Sequence, residues 1–124
     1  MYRALITFLL LMSGHVSAHQ FTPTYPKLES SFVNGVKVAK MELFNSRNDA
    51  RYYELGVFDG KWEPVSFASE AQIVDVPYLT RKSLNIYIRD KDVNRAVYIC
   101  SKSKLIGNES KVTMISTRIC SKIK

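Results

Sequence analysis

Apolar and polar residues alternate with a period of two over much of the chain after its first eighteen residues. Within residues 82–89, Leu84, Ile86 and Ile88 share one face, while Ser83, Asn85, Tyr87 and Arg89 share the other. Ala39, Met41 and Leu43 alternate with Lys40, Glu42 and Phe44, and Tyr53, Leu55 and Val57 alternate with Tyr52, Glu54, Gly56 and Phe58. Residues 96–100 and 112–120 are also rich in β-formers. Alternation of this kind means one buried and one wetted face, which is the habit of antiparallel sheets. Turn signals separate the runs at Asn34-Gly35, residues 45–49, Asp59-Gly60, residues 90–94 and Gly107-Asn108. About seven short strands at this spacing predict an all-β fold, an immunoglobulin-like antiparallel β-sandwich. Helical signal is confined to residues 69–72 (SEAQ), enough for one turn before Val76-Pro77 stops it.

The first eighteen residues follow a different pattern. A basic start at Arg3 precedes nine apolar residues, 4–12, and Val16-Ser17-Ala18 places small residues where a signal peptidase cuts. Residues 1–18 therefore read as a secretory signal and residues 19–124 as one domain. Nine apolar residues are too few to span a bilayer, and no later run approaches the ~20 required. Periplasmic or secreted location follows, with no membrane span once the signal is removed. A chain of 124 residues is too short for a Rossmann-type enzyme or a barrel of alternating strands and helices.

Export changes the reading of the thiols. Cys100 and Cys120 are the only cysteines, and an oxidising compartment joins such a pair. A zinc site is the competing use, but two Cys so spaced, with no His near, lack its ligand pattern. Catalytic groups are scarce. After the signal His19 is the only histidine, there is no glycine-rich phosphate loop, and Asp90, Asp92 and Glu109 read as solvated turn residues. No nucleophile, base and orienter can be assembled, so the chain reads as a non-enzyme without cofactor or metal. One sharper alternative concerns His19. As a new N-terminus its amine and imidazole could chelate copper(II), against the plainer reading of a flexible first residue.

The net charge is +7, and loss of Arg3 with the signal leaves +6. From Arg95 onward Glu109 is the only acid, so this last third is a basic hairpin that includes Arg118. It serves either solubility or the binding of a carboxylate or other anion; nucleic acid is rarely met by an exported protein. Asn108-Glu109-Ser110 matches a glycosylation sequon.

Four stretches carry a resemblance. Residues 36–59 (VKVAKMELFNSRNDARYYELGVFD) are similar to the B–C strand pair of the N-terminal domain of periplasmic pilus-assembly chaperones, and residues 76–89 (VPYLTRKSLNIYIR) resemble that family's polar turn leading into a strand that ends in Arg. Tyr98-Ile99-Cys100-Ser101-Lys102 and Cys120-Ser121-Lys122 resemble the subgroup whose last two strands are tied by a disulfide, with a Lys two positions after the second Cys. The resemblance implies that Lys122 and a basic residue near the first strand, for which Lys27 is nearest, hold a partner's C-terminal carboxylate. It also implies that the last strand lends apolar side chains, Val112 and Met114 on one face, to a pilin-like or envelope-assembly subunit. The expected function is thus an exported protein-binding domain acting by strand-edge pairing and a basic anchor at Lys122, Lys27 and Arg118. The alternative is a structural component of an envelope or extracellular assembly.

Overall fold

The computed structural model describes residues 19–104 and 116–124. Along the chain run β1 (Gln20–Thr22), β2 (Glu29–Ser30), β3 (Val36–Phe44), β4 (Tyr52–Phe58), β5 (Ile73–Asp75), β6 (Arg81–Arg89), a single helical turn α1 (Asp90–Val93), β7 (Tyr98–Ser103) and β8 (Arg118–Lys122). They form two antiparallel sheets of four strands. In the first, β3 pairs with β6 on one side and with β1 and then β2 on the other; the second has the order β5-β4-β7-β8. This is the expected all-β sandwich, with the immunoglobulin-like division of strands between its layers.

The alternation does the folding work. Ala39, Met41 and Leu43 of β3, Tyr53, Leu55 and Val57 of β4, and Leu84, Ile86 and Ile88 of β6 are all buried. They join Phe21, Val74 and Ile99 in one hydrophobic cluster between the sheets. Each large aliphatic side chain so buried contributes roughly 2 kcal/mol. β3 and β6 pair along their whole length, from Val36 opposite Arg89 to Phe44 opposite Arg81, so all nine residues of each are in register. Slipping that register by one would turn the apolar row to water.

Several local expectations are corrected. Residues 69–72 form no helix; Glu70 instead turns its carboxylate onto β6, accepting from the Asn85 backbone N–H (3.2 Å) and side-chain amide (2.8 Å). Asp92 is buried rather than solvated, ion-paired with Arg89 at 2.9 Å, and its carbonyl accepts from the N–H groups of Arg95 and Ala96. Ala96 and Val97 therefore belong to the connection after α1, and β7 starts at Tyr98. Residues 1–18, the sequon at Asn108, and Val112 and Met114 lie outside the described residues. No helix among the described residues is long and apolar enough to cross a membrane.

Candidate partner-binding margin

β8 is the last strand of the second sheet. It pairs with β7, Arg118 opposite Lys102 through to Lys122 opposite Tyr98. Ile123 N–H donates to Val97 O on the β7 side, whereas Lys122 N–H donates away from β7, to Thr24 O (3.0 Å), and Lys124 N–H to Pro26 O (2.9 Å). Parity then sets the rest of the strand. The backbone groups of Arg118 and Cys120 point outward like those of Lys122, and among the described residues nothing bonds to them. Residues 24–26 thus bond to one end of this margin; β1 runs close to β8 as well, but among the described residues it forms no backbone bond to Arg118 or Cys120.

The side chains divide by the same parity. Ile119 and Ile123 turn inward against the core, while Arg118, Cys120 and Lys122 face the outer surface of the sheet. Cys120 stands directly opposite Cys100, and the two form the expected disulfide. Beside the bridge runs a groove of about 220 Å³, lined by Gly56, Phe58, Phe67, Cys100, Lys102 and Arg118 among others. A Cβ at Gly56 would come within 2.8 Å of the Phe58 ring that folds over it, so a larger residue there would displace the end of that ring. The Arg118 guanidinium lies over that same ring, 5.3 Å from its centroid.

The charge pattern differs from one margin to the next. On the outer edge of β6, Ala68 covers Tyr87 and the Glu70 carboxylate covers Asn85. Where β6 is bare, Arg81 pairs with Glu42 at 2.9 Å, while its neighbour Lys82 has no ion-pair partner among the described residues. On the short β5, Asp75 is paired with Arg51, which holds its carboxyl below the usual range. At the groove, Glu54 is occupied by Lys104 at 2.7 Å, and that hydrogen bond likewise lowers its pKa. Among the described residues Lys102, Arg118 and Lys122 have no ion-pair partner, so the β8 side carries a cationic surplus.

Inside the sandwich, next to β8, lies a polar network that sequence reasoning missed. His19 is buried, not a flexible first residue. Its Nε2 is 2.8 Å from Ser101 Oγ, its Nδ1 3.3 Å from Thr117 Oγ1, and its ring centroid 4.6 Å from that of Tyr53. Burial drives its pKa down to about 4, against a smaller opposing effect of hydrogen bonding to Ser101, with Arg47 pushing the same way as burial. Tyr53 Oη donates to Asn45 Oδ1 (2.6 Å), and Asn45 Nδ2 donates to the carbonyls of Ala50 and Val76. Arg47 donates to both oxygens of Asp49 and, more weakly, to Ser103 and Thr117. These contacts tie the start of β1 and the approach to β8 to the middle of the second sheet.

The His19–Ser101 contact has the spacing of a base and a nucleophile, but Ser101 is wholly buried and Nδ1 faces Thr117 rather than a carboxylate. It is a structural pair. With both ring nitrogens so engaged, the imidazole is not presented for chelation, and among the described residues no three His, Cys, Asp or Glu side chains could hold a metal ion.

Of the residues singled out from sequence, Arg118 and Lys122 share one face of β8. Lys27 follows residues 24–26, the segment that runs beside the end of β8. No protein-family model matches the chain, and no curated protein matches it in sequence.

Proposed function

We propose that this is an exported protein-binding domain that receives an extended segment of its partner as an added strand on β8. The observation that carries the reading is the pair of outward-facing, unbonded backbone positions, Arg118 and Cys120, bordered by more cations than the single nearby acid, Glu54, can offset. Exposed strand edges recruit further strands. The disulfide supports an oxidising compartment. The resemblance to pilus-assembly chaperones supports a pilin-like or envelope-assembly subunit as the partner, with Arg118, Lys122 and Lys27 as its basic anchor.

The test is Arg118→Pro. Proline removes the outward N–H, which no internal bond uses, and the cation with it; edge positions tolerate proline. Capture of the native partner by the immobilised domain should fall about tenfold or more, the order expected when a charge-assisted contact and a backbone hydrogen bond are lost together. The thermal midpoint should hardly move. Undiminished capture by a folded Arg118→Pro protein would rule the reading out.

A further inference from the structure

The geometry of the outer face narrows what the added strand must look like; this inference rests on the β8 reading above. Side chains of neighbouring strands stand in rows across a sheet. One row of the second sheet is Glu54, Lys102, Arg118, and the next is Gly56, Cys100, Cys120. A strand laid against β8 extends both rows by one residue each, whichever direction it runs. Its residue beside Arg118 meets a row whose single acid, Glu54, is ion-paired with Lys104 at 2.7 Å and is shared at longer range by Lys102 and Arg118, so that one acid faces three cations. Arg118 rests over Phe58, so its planar face is used while its N–H donors lie at the rim. Two positions along, the incoming side chain sits beside the half-buried disulfide, next to a groove of about 220 Å³ whose walls include Phe58, Pro64, Val65 and Phe67. The residue between them points inward beside Ile119, itself packed on the core.

We infer that the partner segment has a carboxylate beside Arg118 and an apolar side chain beside the Cys100–Cys120 bridge, an acidic–apolar alternation on one face of an extended strand. Basic segments are rejected at the same place, because a third cation would extend a row that already holds Lys102 and Arg118.

Three synthetic peptides of equal length test this, built on the repeats Glu-Thr-Val-Thr, Ser-Thr-Val-Thr and Lys-Thr-Val-Thr, so that the variable residue and Val alternate along one face. Each is titrated by fluorescence anisotropy into the full chain and into Arg118→Glu. The Glu peptide should bind the wild-type protein about three- to fivefold more tightly than the Ser peptide, the range of an exposed charge pair. The Lys peptide should bind more weakly still. Arg118→Glu should invert the order, with the Lys peptide now tightest. If all three bind alike, or the order survives Arg118→Glu, the acidic–apolar inference fails while strand addition at β8 stands. If none binds, both fail.

Discussion

His19 contributes to stability only as a neutral ring. Its imidazole is buried between Tyr53, Ser101 and Thr117, with the Arg47 guanidinium close enough to oppose a positive charge. The folded protein holds its pKa at about 4, against 6.5 for a free histidine. The unfolded chain therefore binds the proton first as pH falls. The contribution is complete above pH 6.5 and is lost as pH falls through the window down to about 4, amounting to about 3 kcal/mol over the whole shift. Glu54 and Asp75 are held below their ordinary values by Lys104 and Arg51, so their contribution is lost only as pH falls into and below the ordinary carboxylate range. Urea midpoints at pH 7, 5.5 and 4.5 should decline steadily for the wild-type chain. His19→Phe keeps a ring against Tyr53 without a titrating group, and its midpoints should stay nearly level over the same range; an equal decline would place the pH sensitivity elsewhere. Ser121 is a second residue of interest, its hydroxyl buried with no partner among the described residues. Removing an unsatisfied hydroxyl of this kind relieves about 1 kcal/mol, so Ser121→Ala should raise the thermal midpoint, and a lowered midpoint would mean that the hydroxyl is bonded. Neither environment was legible in the sequence. The contacts of His19 span 82 and 98 positions, and Asn45, which reads as a turn residue, is fully buried at the centre of four side-chain hydrogen bonds.

At the scale of elements, β7 and β8 form the hairpin on which the margin depends, and the disulfide is its cross-tie. Cys100 and Cys120 are 20 positions apart, a loop whose closure restricts the unfolded chain by about 3 kcal/mol. Cys100→Ser with Cys120→Ser should lower unfolding free energy by about that amount in denaturant titrations, and the wild-type chain in reductant should behave the same way. A drop under about 1 kcal/mol would mean that β8 is held mainly by its inward Ile119 and Ile123. The pairing itself was legible, since the chain has only two thiols, and an oxidising compartment leaves them no partner but each other. So were β3, β4 and β6, where seven to nine residues give the alternation enough length to be recognised. β1, β2 and β5 were not, because two or three residues carry no period. The composition of residues 69–72 allowed a helical turn, but a single turn is too short to persist alone, and Glu70 makes its bonds to β6 instead.

For the molecule as a whole, an open strand edge is a hazard as well as a site, since a second copy of the chain could pair there as readily as a partner. The cations of β8 separate the two outcomes. Two copies joined edge to edge would bring two Arg118 and two Lys122 side chains onto one outer surface, with no acid of β8 to offset them. The net charge of +7 adds repulsion at longer range. A partner strand with carboxylates meets the same surface as an attractive one. The wild-type protein should therefore sediment as a monomer in 0.1 M salt, where the screening length is about 10 Å, and begin to self-associate near 1 M, where it falls to about 3 Å. Arg118→Ser with Lys122→Ser should self-associate already at the lower salt and lose the preference for acidic peptides, because the same charges serve both purposes. If the double variant stays monomeric at both salts, the margin is closed by the chain's own structure, and strand addition at β8 would have to be abandoned along with it.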